Sequence, residues 1–287
     1  MLLHEAIEKY KQYLITMDKS KETIRGYISD LSSLEHFLAK KYNCPLYIDE
    51  ICTADIEDYL YWLKETKGLQ PASRSRNLYT LRSFWKYIHN KEFCPKNIAV
   101  LLEPIRLQKK ERTYLSIDEA EQFIKEIHHP LIKVVVQTLY YTGMRISECL
   151  NLSLKNVNLE KKIIHVINGK GKKDRKIPIS DNLLEVFRNY LECLRPEVDS
   201  NYFFATKKTG RLSSAYVNRV LQDTTSRLGW EKHVTAHILR HSFASNLIKN
   251  GVNLVHLQKL LGHSDLKVTS VYTHADMDDL SEAINVL

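Results

Sequence analysis

Cysteine and long apolar runs are scarce in this 287-residue chain, and internal repeats and low-complexity tracts are missing from it. The five cysteines, Cys44, Cys52, Cys94, Cys149 and Cys193, are odd in number, widely separated and never in a Cys-x-x-Cys pair. That argues against a disulfide framework and against a zinc ribbon, and a reducing cytoplasm fits best. No apolar run approaches the ~20 residues needed to span a bilayer, so no membrane association is expected. The N-terminal stretch MLLHEAIEKYKQYL mixes acidic and basic residues at helical spacing, a pattern unlike a signal peptide.

What is present is an ordinary globular composition with an excess of positive charge. Lys and Arg number 42 against 34 Asp and Glu, for a formal charge of +8. Such a balance suits a polyanionic partner, because basic side chains that neutralise phosphates release condensed counterions. The length suits two domains.

Hydrophobic periodicity supplies the layout. Ile24, Tyr27, Ile28, Leu31, Leu34, Phe37 and Leu38 recur at helical steps, as do Leu78, Leu81, Trp85 and Ile88. Breaks at Asn43-Cys44-Pro45, Lys67-Gly68, Gln70-Pro71 and Cys94-Pro95 leave about four helices in the first hundred residues. The segment 103–112 is polar, aperiodic and basic, and Ser116-Ile-Asp-Glu119 after it is a capping box that opens a new helix. The domain boundary falls there, giving 1–105, a linker over 106–112, and 113–287. The second part opens with a long apolar helix ending at Gly143. Two β-like runs, 161–167 and 175–179, then flank a Gly169-Lys170-Gly171-Lys172-Lys173-Asp174 turn, and helices follow over 182–194, 214–228, 236–250, 254–261 and 276–285. The fold class is mainly α: an N-terminal four-helix domain and a mostly helical second domain with a small antiparallel β-sheet.

The stretch HILRH, residues 237–241, sets two histidines around an arginine. A zinc reading is poor, because Ile238 stands where the hydrolytic zinc motif has Glu, no acidic third ligand is near, and Arg240 adds a fixed positive charge. A core histidine beside a surface arginine and an anion-binding centre both remain open for this stretch alone. Other fragments bear on the choice. Arg145 lies just past the Gly143 break with Glu148 three residues on, close enough to orient a guanidinium, and Leu261-Gly-His263 and Val271-Tyr-Thr-His274 follow downstream.

In order and spacing these fragments resemble the tyrosine site-specific recombinases, the lambda-integrase and Xer-like family. The likeness covers nearly the whole chain, since Ser20-Lys-Glu-Thr-Ile-Arg-Gly-Tyr-Ile-Ser-Asp-Leu31 is similar to a helix of that family's core-binding domain. The resemblance implies a core-binding domain at 1–105, a catalytic domain at 113–287 and a catalytic set of Arg145, Lys170, His237, Arg240, His263 and Tyr272. Ala236 stands before His237 where proline is frequent, and Lys172 and Lys173 compete with Lys170 as the hairpin lysine. It also implies a phosphotyrosyl intermediate formed without metal, ATP or any other cofactor.

The residue types suit that chemistry. A tyrosine hydroxyl of pKa near 10 is a weak nucleophile, so attack on phosphorus needs the transition state stabilised by charge. Arg145 and Arg240 offer forks that match non-bridging phosphate oxygens, and His263 adds a hydrogen bond to the same group. His237 is suited to accept the tyrosine proton, and Lys170 to protonate the departing 5′ oxygen.

Candidate DNA contacts are Lys19, Lys21, Arg25, Arg74, Arg76, Arg82, Lys86, Arg106, Lys109, Lys110, Arg112, Lys172 and Lys173, with solvated helix surface as the alternative for each. The expected partner is double-stranded DNA with inverted half-sites, bound by a protein that becomes a tetramer there. The tail 276–287, with Met277, Leu280, Ala283, Ile284 and Leu287 at helical steps, is the candidate coupling element between protomers. Compact size and a tail of 15 residues after Tyr272 resemble Xer proteins that resolve chromosome or plasmid dimers, with a second recombinase or a DNA translocase as further partners. A mobile-element integrase or resolvase, an inactive DNA-binding accessory protein and a type IB topoisomerase are the competing readings.

Overall fold

A computed structural model describes residues 1–107, 113–167 and 174–262, and helices dominate it. The chain divides into two units, Met1–Lys110 and Glu111–Leu287. The first is built from α1 (Leu3–Thr16), α2 (Lys21–Tyr42), α3 (Thr53–Glu65) and α4 (Pro71–Asn90). Local chemistry sets its boundaries. The Ser20 side chain accepts the Thr23 N–H to start α2, Asn43 turns left-handed at its end, and Pro71 stands in the first turn of α4, where no N–H is needed. The break between α1 and α2 contains neither Gly nor Pro. There Asp18 adopts φ 52°, a conformation short polar side chains tolerate. The apolar stripes meet in one core, with Tyr10, Leu34, Ile56, Tyr59, Leu81, Phe84 and Trp85 fully buried.

The second unit begins with α5 (Ile117–Lys125), opened by the reciprocal pair in which Ser116 N–H donates to Glu119 and Glu119 N–H donates to the Ser116 hydroxyl. Then come α6 (Pro130–Thr142), α7 (Ile146–Leu150), a three-stranded antiparallel sheet and helices α8 (Asp181–Asn189), α9 (Ser214–Arg227), α10 (Ala236–Lys249) and α11 (Leu254–Leu261). Helix α6 is apolar on most sides and is covered by α5, α8 and α10.

The sheet differs from the two runs read in the sequence. It has three strands, β1 (Val157–Asn158), β2 (Ile163–Val166) and β3 (Arg175–Pro178), with Ile164 opposite both Val157 and Ile177. Two residues are too few for β1 to show an alternation, and Lys161 and Lys162 belong to the turn before β2, with Lys162 at φ 50°. Helix α7, five residues long, is also short and follows directly on a break, so periodicity does not mark it. The 182–194 helix is interrupted at its end, where Tyr190–Leu194 widens into a π turn. The expected helix over 276–285 and the turn residues 169–173 lie outside the described residues.

Candidate active site

Helix α6 ends at Gly143, whose φ of +61° turns the chain out of the helix. A Cβ at this position would fall 2.3 Å from Phe243 Cδ1 on α10 and 2.9 Å from Leu261 Cδ2 on α11. Both the backbone angle and the space therefore demand glycine, and the three helices meet at this point. Two residues later Arg145 caps α7. Its N–H donates to Glu148 Oε2 at 3.0 Å and its Nη1 to Glu148 Oε1 at 2.8 Å.

Glu148 serves a second arginine. Arg175, the first residue of β3 and only 10% exposed in its side chain, donates through Nη2 at 2.7 Å and Nη1 at 3.2 Å. Burial works to raise the Glu148 carboxyl pKa, but hydrogen bonds from Arg175 and Arg145 outweigh it and hold the pKa at about 2. Two guanidinium groups thus share one carboxylate, and the cluster keeps a net positive charge.

Arg240, on the second turn of α10 and 4% exposed, is held differently. Its Nη1 donates to the Gly143 carbonyl at 2.5 Å and its Nη2 to the Leu261 carbonyl at 2.9 Å. Both acceptors lie at helix C-termini, where carbonyls have no helical partner and the helix dipole favours a cation. His237 is exposed in the first turn of α10, three residues before Arg240 and hence on a neighbouring position of the same helix side. The Thr235 hydroxyl caps that turn by accepting the Ile238 N–H. His241 is buried, with its ring at 72° to that of Tyr114.

The structure therefore brings Arg145 and Arg240 to one junction, with His237 on the helix that carries Arg240. Lys170, His263 and Tyr272, with Lys109, Lys110, Arg112, Lys172, Lys173 and the 276–287 tail, lie outside the described residues. In the first unit Lys19, Lys21, Arg25, Lys86 and Arg106 are exposed. Arg74, Arg76 and Arg82 are tied down: Arg74 Nε donates to the Leu69 carbonyl at 3.2 Å, Arg76 forks onto Asp30 at 2.5 and 2.7 Å, and Arg82 donates to the Leu102 carbonyl. Among the described residues no group of three or more His, Cys, Asp or Glu is placed to hold a metal, and no helix is long and apolar enough to cross a membrane.

Sequence reasoning missed Arg175. One signal existed: in a strand of period two it shares a face with buried Ile177, and an inward arginine needs a buried acceptor.

Comparison with known proteins identifies two family matches along the chain. The family described as "Phage integrase family" matches residues 113–279, and "Phage integrase, N-terminal SAM-like domain" matches residues 7–92. A protein named tyrosine recombinase XerD from Staphylococcus saprophyticus is 31% identical, with 97% of each chain covered. Among solved structures, XerA recombinase matches at TM-score 0.54 with 27% identity, covering 98% of this chain and 97% of that one. XerH recombinase, bound to a palindromic difH substrate after cleavage, shares the fold at TM-score 0.73 and 24% identity, covering 98% of this chain and 83% of that one.

Proposed function

Because the chain belongs to the phage integrase family of tyrosine recombinases, enzymes that cut and rejoin DNA strands, we propose that Arg145, Lys170, His237, Arg240, His263 and Tyr272 form its catalytic set. The observation that carries this assignment is the junction at Gly143: Arg240 donates to its carbonyl, and Arg145 follows two residues later. One helix end thereby links two guanidinium groups, each oriented before any phosphate arrives, which is the preorganisation that stabilises a charged transition state.

In this reading the Tyr272 hydroxyl attacks the scissile phosphorus and passes its proton to His237. The bond from phosphorus to the 5′ oxygen breaks, and Lys170 protonates that oxygen as it leaves. Arg145, Arg240 and His263 hold the non-bridging oxygens. The 3′-phosphotyrosyl ester keeps the energy of the broken bond, so a 5′ hydroxyl from a partner strand reverses the step without ATP.

Residues 1–105 serve as the core-binding domain, 106–112 as a basic linker and 113–287 as the catalytic domain, with 276–287 docking on a neighbouring protomer. Support for the first of these is the SAM-like match over residues 7–92. Two protomers occupy inverted half-sites, and two such duplexes pair as a tetramer. The similarity to a protein named XerD supports Xer-type resolution of chromosome or plasmid dimers in the cytoplasm, with a second recombinase or a DNA translocase as partner.

A nicked suicide substrate tests the chemistry. Wild-type protein is expected to form a covalent adduct in the presence of EDTA. Tyr272→Phe is expected to form none while its DNA Kd stays within about threefold, since only a hydroxyl is lost. An adduct persisting in Tyr272→Phe would transfer the nucleophile to another tyrosine, Tyr216 first.

A further inference from the structure

Arg175 is the residue at which the chain returns from the β2–β3 connection that carries Lys170, and it is bound on two sides. Its Nη1 and Nη2 donate to Glu148, which in turn holds Arg145 through the backbone N–H and Nη1. Its Nε donates to the Leu260 carbonyl at 2.9 Å, at the C-terminal end of α11. Gly262, which ends α11 at φ +64°, lies so close that a Cβ there would be 2.9 Å from Arg175 Cδ. The next residue is His263.

Standing at the exit of the β2–β3 connection, one side chain therefore joins it to two stretches far apart in sequence: the carboxylate that sets Arg145 and the end of α11. Each of its three nitrogens donates, with separate donors to a charged and a neutral acceptor. A lysine has no such fork, since its donors all leave from a single atom. We propose that Arg175 is a positioning residue for strand cleavage, acting on the scissile phosphate through Glu148 and Arg145. It touches no reacting atom itself. The inference rests on the catalytic role assigned above to Arg145, and it goes beyond that assignment by making Arg145 dependent on a residue outside the six.

Geometry at a charged site is costly to lose: a displacement of about 1 Å lowers a rate by roughly 10²-fold. Cleavage of a nicked two-half-site duplex is measured in a single turnover at saturating protein, alongside DNA affinity and thermal melting. Arg175→Ala is expected to slow cleavage of bound DNA about 10²-fold while Kd changes less than about threefold. Arg175→Lys, which keeps the charge and most of the stem, covers the case in which the alanine variant does not fold; it is expected to lose about tenfold.

A second substrate separates the two ends of the reaction. When the 5′ bridging oxygen is replaced by sulfur, the leaving group no longer needs a proton. A defect that persists on this substrate supports action through Arg145. A defect erased by sulfur would place Arg175 on the leaving-group side and overturn the proposal, as would variants that cleave bound DNA at the wild-type rate. Absence of any covalent adduct in the wild-type chain would instead overturn the catalytic reading beneath it.

Discussion

Arg76 in the first unit and Arg240 in the second each donate hydrogen bonds that fix them, to acceptors that differ in kind. Arg76 forks onto the carboxylate of Asp30, itself buried and also bonded to the Thr80 hydroxyl, so its charge is neutralised within the helix bundle. Arg240 is oriented by two carbonyls, of Gly143 and Leu261, which are dipoles without net charge. A carboxylate partner makes an arginine a structural tie. A carbonyl partner fixes the direction of a guanidinium without neutralising it. Arg145 and Arg175 stand between these cases, sharing Glu148 as a single carboxylate.

The sharpest way to break the comparison is to remove the fork of Arg240. Arg240→Lys keeps the charge but cannot donate to both carbonyls in one plane, so cleavage of bound DNA is expected to fall by about 10²-fold or more, with Kd changed less than about tenfold. Single-turnover cleavage beside a binding titration checks this. Loss of binding with an unchanged cleavage rate would make α10 a docking element and remove Arg240 from the chemistry.

The shared carboxylate of Glu148 makes a prediction in pH. Its folded pKa of about 2 lies below the ordinary 4.5, so its stabilisation is present above about pH 4.5 and is lost as pH falls from there toward 2. A displacement of that size corresponds to stabilisation on the order of 3 kcal/mol. Urea unfolding of the wild type is expected to weaken across that window. Glu148→Gln is expected to be less stable at neutral pH and to weaken less on acidification. Equal slopes for the two proteins would show that other carboxylates dominate acid unfolding.

The smallest effect belongs to the structural tie in the first unit. Arg76 is 56% exposed, so its pair with Asp30 is partly screened. Asp30→Asn is expected to cost about 1–2 kcal/mol in urea unfolding, below the cost of breaking a fully buried pair. Because the substitution also leaves Arg76 uncompensated, DNA affinity is expected to hold or tighten slightly. A large loss of affinity would instead assign Asp30 the task of aiming Arg76 at the duplex.

Much of the layout was legible in the sequence because its causes are local. The Ser20 and Ser116 caps, the proline at the start of α4 and the stripe through Leu78, Leu81 and Trp85 all act across a few residues. The Arg145–Glu148 contact was legible for the same reason, spanning three residues. Strand β1 and helix α7 were not, since two and five residues leave no room for a period to repeat. The break at Asp18 was missed because it uses neither of the residues that forbid a helix.

The sequence by itself determined the family, the mainly helical class and the order of the charged fragments. Tertiary structure alone decided what Arg175 and Arg240 hold. Arg175 reaches 27 residues back to Glu148 and 85 forward to Leu260, and Arg240 reaches 97 back to Gly143. The physical reason is that every residue carries a carbonyl, so composition cannot mark which one a guanidinium meets. Only the packing of helix ends around Gly143 and Gly262, at positions where any Cβ would collide, brings those acceptors within reach.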